Sequence, residues 1–247
     1  MMKIAGSRRR GLIAMALVGA GVLLAAVVLL LAIGLGDREA GPKPTTTTPG
    51  QSDDPSPSAT LSGDDEVVDP NVADRGWVPE PITRDPDAYA RAALEAAGTF
   101  DTRKATRSEW VEWLESWFTP SPLYDNEQDA LDQMAGYKAE LDQTVVLPQT
   151  LWDDLASEDG RASAHVSGDL EYLNLPETAQ KKVRTVTANL VITYTRTPST
   201  GGDEVTYDQT IRVSVQVVCG GASVPTPESA QQAGDCKVVR FFDTAVG

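Results

Sequence analysis

The residues best able to do chemistry are few and scattered. The 247-residue chain has one histidine and two cysteines. His165 lies near Asp169 and Glu171, and at a strand period of two these three share a face, with Ala164, Val166, Leu170 and Tyr172 on the other. An imidazole beside carboxylates can move protons, but a polar face of a strand is most simply the solvent face. Cys219 and Cys236 sit at the end of one strand and the start of the next, so an antiparallel hairpin brings them together. A bridge there requires an oxidising compartment, and without a C-x-x-C pair the cysteines are structural. One histidine and two cysteines cannot complete a structural zinc site without carboxylates. The acidic runs Asp53-Asp54, Asp64-Asp65-Glu66 and Asp153-Asp154 lack calcium-loop spacing and read as solvated surface. Trp110, Trp113 and Trp117 fall at helical spacing. They form either an aromatic wall for a ligand or a core stripe, and the stripe is favoured. There is no G-x-S-x-G, P-loop, dinucleotide glycine pattern or H-E-x-x-H. The sequence offers no catalytic, cofactor-binding or metal-binding residue, and the chain is read as a non-enzyme without cofactor.

Charge narrows the partners. The chain carries 21 basic and 36 acidic residues, a net of −15. The basic residues Lys3, Arg8, Arg9 and Arg10 precede the first acid, so the remainder is more acidic still. Such a surface is not drawn to phosphates, and direct nucleic-acid binding is not expected.

The elements that position these residues divide the chain into four stretches. Residues 1–10 are a basic tip. Gly11 to Gly36 runs 26 residues without a charge, about 39 Å as a helix and sufficient for a bilayer core of about 30 Å. Its basic flank (Lys3, Arg8, Arg9, Arg10) sets the N-terminus in the cytoplasm and the rest outside, and places it near anionic lipid heads. A cleaved signal peptide is the alternative, but the apolar run is too long and no A-x-A site follows. Residues 37–82 hold 8 of the 16 prolines and the run Thr45–Thr48. They read as a disordered stalk with an end-to-end distance of roughly 40 Å, whose Thr/Ser/Pro content is open to glycosylation. Its last part, Gly76-Trp77-Val78-Pro79, is positioned to dock on the domain. Residues 83–247 are the outer domain.

Within that domain Asp85-Pro86 is a helix N-cap followed by proline at the first helical position, with the helix ending near Gly98. Thr106 and Glu109 have capping-box spacing at the start of a second helix carrying Trp110, Trp113, Leu114 and Trp117 on one face. A third runs from Asn126 to about Leu141. The period then changes to two. Strands are expected at about Ala162–Tyr172, across Val183–Thr197, from about Thr206 to Cys219 and over Cys236–Asp243. Three helices followed by four strands predict an α+β fold, with the helices packed on an antiparallel sheet.

A basic tip, one anchor, a Pro-rich stalk and an ααα-ββββ outer domain together resemble the eighth VirB component of type IV secretion and conjugation machines. The segment Pro79-Glu80-Pro81-Ile82-Thr83-Arg84-Asp85-Pro86, with Tyr89-Ala90 and Phe100-Asp101-Thr102, is similar to the entry of conjugal-transfer proteins of actinobacterial integrative elements. The resemblance implies a nuclear transport factor 2-like cone, a curved four-stranded sheet under three helices. It implies a membrane-anchored, single-pass assembly component that contacts itself, other channel subunits and, through residues 11–36, membrane lipid. No catalytic motif carries over. The alternatives are an extracytoplasmic ligand-binding or enzymatic cone domain, for which His165 is the candidate, and an envelope protein of an unrelated pathway.

Overall fold

The computed structural model describes residues 66–246, apart from 177 and 179–182. The charge-free segment 11–36, the topology residues Lys3, Arg8, Arg9 and Arg10 and the stalk up to residue 65 lie outside that range. Among the described residues no helix is long and apolar enough to cross a membrane.

The first helix, α1 (Pro86–Ala96), starts where the sequence specifies: the Asp85 side chain accepts from the Asp87 and Ala88 amides, with Pro86 at the first position. A two-residue strand, β1 (Phe100–Asp101), follows. Helix α2 (Arg107–Glu115) has both halves of the Thr106–Glu109 capping box. Helix α3 (Glu127–Glu140) is capped by Asn126 and continues into a π-turn at Leu141–Val145. A further helix, α4 (Gln149–Ala156), was not expected. It is only eight residues long, has no side-chain N-cap bond and buries just Trp152 and Leu155, too little periodicity to separate from a loop.

Strands β2 (Arg161–Tyr172), β3 (Arg184–Arg196), β4 (Val205–Gly220) and β5 (Gly234–Phe242) fall within a few residues of their expected positions. With β1 they form a five-stranded antiparallel sheet in chain order, rather than the four-stranded sheet expected. The extra strand pairs only at Phe100↔Ala162 and Asp101↔Arg161, too short to leave an alternation. The helices cover one face. Val186, Ala188, Leu190, Ile192 and Tyr194 alternate along β3 and pack with Tyr89, Leu94, Trp110 and Leu114 in one core. The close approach of α1 to the sheet depends on Gly98: a Cβ there would lie 2.7 Å from the Ala164 Cβ. Alanine at this position must push helix and strand apart.

Two parts of the sequence reading need correction. The stalk is shorter at its C-terminal end than composition indicates. Residues 66–82 pack on the domain, with Val68 N–H donating to Glu80 O (2.9 Å) and Ile82 N–H to Glu66 O (2.8 Å). Val72, Trp77 and Glu80 are buried. Three anchors among prolines are too sparse to shift a composition average, yet they suffice to fix the segment. The second correction concerns β4. Its apolar alternation is continuous in sequence, but only its C-terminal half is covered: Val215 and Val217 are fully buried, whereas Val205 and Tyr207 are 39% and 46% exposed.

Cys219 and Cys236 form the disulfide, with Cα atoms 4.1 Å apart and a sequence separation of 17. It closes the loop between β4 and β5. Chain entropy assigns such a loop roughly 3 kcal/mol. Chemical denaturation with and without reductant checks this: the reduced protein should unfold with a stability lower by about that amount and an unchanged far-ultraviolet spectrum.

Candidate functional site

The only described lysine that is fully buried is Lys237 on β5, and it meets the fully buried Glu80. Its Nζ donates to Glu80 Oε1 at 2.7 Å, Thr226 Oγ1 at 2.6 Å and Ser116 O at 3.1 Å, with Gln231 Oε1 a further 3.5 Å neighbour. Glu80 Oε1 also accepts from the Tyr89 hydroxyl (2.6 Å) and from Gln231 Nε2 (3.1 Å). Five parts of the chain converge here: the entry segment, α1, the end of α2, the β4–β5 loop and β5. Burial pulls the Lys237 pKa down, and the Glu80 charge partly restores it. Burial, with the neighbouring Glu80 charge, pushes the Tyr89 hydroxyl well above its ordinary value.

A buried lysine, carboxylate and tyrosine can resemble a catalytic cluster. Here each polar atom already has partners within the protein. A buried ion pair satisfied on all sides specifies which segments come together, and it does not present a reactive group. Neither Glu80 nor Lys237 was singled out in the sequence. The available signal was a lone acid between Pro79 and Pro81, and a lysine inside an otherwise apolar strand, Cys236–Val239.

The sequence-selected residues are placed differently. Trp110 and Trp117 are fully buried. Trp113 is half-buried and stacks on Trp77 with centroids 6.2 Å apart. Trp110 packs between Phe100 (4.9 Å) and Trp152 (5.6 Å), and Trp117 against Tyr89 (5.9 Å). Rings fill the space that a ligand would need, so the stripe is a core element. Trp117 lies two residues past the last residue of α2 and keeps its place because the backbone joins β5: Val238 N–H donates to Trp117 O (3.0 Å) and Thr119 N–H to Val238 O (2.8 Å).

His165, Asp169 and Glu171 are exposed on β2. The β2–β3 register shifts between Ser167 and Glu171, around Gly168 at φ 78. Glu171 faces Arg212 (2.5 Å) and not the imidazole. Three residues on one strand face are thereby not brought to one point. A broad depression of ≈ 450 Å³ lies elsewhere, lined by Arg84, Cys219, Gly220, Gly221, Ala233 and Gly234. It carries a single charged side chain and no converging polar set. No group of three or more potential metal ligands occurs among the described residues.

No family model and no curated protein matches the chain. Among solved structures it is similar to CagV, a VirB8 homolog of the type IV secretion system from Helicobacter pylori (12% identity, TM-score 0.37, covering 65% of this chain and 97% of that one). It is similar also to an IcmL-like type IV secretion system protein from Legionella pneumophila (14%, 0.37, 64% and 91%) and to a periplasmic fragment of TraM (12%, 0.34, 61% and 88%). Identities and scores at this level do not establish a family for the chain.

Two predictions follow from the geometry. Lys237→Met leaves Glu80 charged and buried without its counter-ion, so stability should drop by about 3–5 kcal/mol, whereas His165→Ala on the exposed strand should stay within about 0.5 kcal/mol; urea titrations of both variants measure the contrast. The second concerns acid. The hydrogen bond from Arg196 holds Glu158 below its ordinary value of 4.5, and the one from Arg161 does the same for Glu204. A depressed carboxylate stabilises the fold above the unfolded value, and that contribution is lost as pH falls through the folded one. Stability should therefore decline as pH is lowered past 4.5, and Glu158→Gln should show a shallower decline in urea midpoints measured across that window.

Proposed function

We propose that this chain is a membrane-anchored assembly component of a conjugation or type IV secretion-like channel, acting through protein–protein contacts of its outer α+β domain. The observation that carries the reading is where the domain is fastened. A charge-free segment of bilayer length and a Pro-rich stalk lead directly into the segment around Glu80, and Glu80 is tied to β5 through the buried Lys237 pair. A tether that enters a folded body through its most buried ion pair transmits position and load into the sheet. This suits a part whose task is to be held in place.

The mechanism is positional. Confining the domains to a membrane surface raises their effective concentration, so contacts too weak to persist in solution are sufficient for a cluster. The resemblance in architecture to the eighth VirB component supports the same reading, and the nuclear transport factor 2-like cone is the form it implies for the domain. The N-terminus lies in the cytoplasm and the domain outside in this proposal, with lipid contacts confined to residues 11–36.

Protease added to intact cells should digest the domain, and an amine-reactive crosslinker should capture oligomers of the full chain in membranes. A domain protected in intact cells, or a chain recovered free in the cytosol, would refute the placement; a strictly monomeric chain in membranes would refute the assembly role.

A further inference from the structure

The sheet edges are treated unequally. Side chains block the outer edge of β2: Ala164 N–H donates to Thr99 Oγ1 (3.0 Å), Val166 N–H donates to Glu95 Oε1 (3.0 Å), and Arg91 Nη2 donates to Gly168 O (3.1 Å). Backbone closes the outer edge of β5: Cys236 N–H donates to Thr83 O (2.7 Å), Val238 N–H to Trp117 O (3.0 Å), and Val238 O accepts from Thr119 N–H (2.8 Å). β4 is different. It runs 16 residues, but β5 pairs with it only from Ser214 onward. Val205–Val213 thus has β3 on one side and, among the described residues, no strand on the other. Residues 205–210 are exposed throughout. An unpaired edge of this length is a template for another strand.

We propose that the Tyr207–Val213 part of this edge is the self-association surface, and that it takes the same segment of a second copy, antiparallel about a two-fold axis at Thr210. The proposal rests on the assembly reading above and names its contact. Charge selects both the occupant and the register. With the axis at Thr210, Asp208 lies opposite Arg212 of the second copy and Arg212 opposite its Asp208, so one pairing makes the ion pair twice. On the other face Tyr207 lies opposite Val213 and Gln209 opposite Ile211, which shields the exposed ring of Tyr207. Moving the axis to Gln209 sets Arg212 against Thr206 and Asp208 against Thr210, and both ion pairs are lost. Moving it to Ile211 sets Arg212 against Thr210, which loses both ion pairs, and leaves only Gln209–Val213 clear of the residues that β5 occupies. Within one copy, Asp208 accepts from Thr193 Oγ1 (2.7 Å) and Arg212 donates through Nη2 to Glu171 (2.5 Å). Both contacts lie on the β3 side of the strand, so Arg212 turns from Glu171 to the open edge when a second copy arrives, exchanging one exposed ion pair for another.

Seven paired residues extend about 23 Å at roughly 3.3 Å each. One strand pair buries less than the roughly 1,200–2,000 Å² of a stable complex. The contact is therefore weak in solution and forms when anchoring concentrates the domains.

The test uses the full chain in membranes. Residues on a two-fold axis of an antiparallel pair have Cβ atoms about 4.5–5.5 Å apart. Thr210→Cys should form a disulfide-linked dimer under mild oxidation about tenfold or more faster than His165→Cys, an exposed control on β2. Asp208→Arg should slow dimer formation in the Thr210→Cys background, and adding Arg212→Asp should restore it, because the swapped charges remain complementary. Thr210→Cys linking no faster than the control, or a double swap no better than the single change, overturns the proposal. If an amine-reactive crosslinker still captures oligomers while Thr210→Cys does not link, the edge contact is wrong and the assembly role survives. Monomers under both reagents remove both.

Discussion

The Glu80–Lys237 pair decides how this domain closes. Two charges removed from water are tolerable only when every remaining lone pair and proton finds a partner. Here the partners are drawn from segments far apart in sequence: Tyr89 on α1, the Ser116 carbonyl after α2, and Thr226 and Gln231 in the β4–β5 loop. None can move away without leaving a buried polar atom unpaired. The pair therefore acts as a specificity constraint more than as a source of net stability. It sets the entry segment against β5, and the disulfide between Cys219 and Cys236, one residue from Lys237, holds the strand that carries the lysine.

The same constraint accounts for what was legible in the sequence. Elements with local causes could be read: the Asp85-Pro86 helix start, the Thr106–Glu109 capping box, the long alternations of β3 and β4, and the cysteine pair at the ends of adjacent strands. Each of these is fixed by neighbours within a few residues or by a simple period. Elements with non-local causes could not. β1 exists only because Phe100 and Asp101 meet Ala162 and Arg161. Helix α4 is set by Trp152 entering the cluster of Phe100 and Trp110. The stalk boundary depends on Glu80 finding a lysine 157 residues further on. Period two placed His165, Asp169 and Glu171 on one face, but a shared face is not a shared point: the shift around Gly168 and the Arg212 guanidinium separate them.

Polar chemistry is distributed in this domain so that the buried charges are paired inside and the reactive options lie at the surface. The aromatic cluster is filled ring against ring. Its buried indole N–H groups at Trp77, Trp110, Trp113 and Trp117 have no acceptor among the described residues, which marks a core held by packing and not by a polar handle. The buried charges are internally neutralised. What the outer surface offers other proteins is shape, charge and backbone.

Backbone is the scarcest of these, because a sheet with free edges aggregates unless each edge is managed. Thr99, Glu95 and Arg91 guard one edge and the Trp117–Thr119 segment guards another, yet the first half of β4 is left open. Asp208 and Arg212 resolve the apparent conflict. Charges on an edge strand disfavour an arbitrary apolar partner, since contact strips water from them, and they admit a partner that presents the opposite charge at the same spacing. A second copy in antiparallel alignment meets that condition by symmetry. The same two residues can therefore protect the edge in isolation and select its occupant at a membrane, where the tether supplies the concentration that a short strand pair lacks.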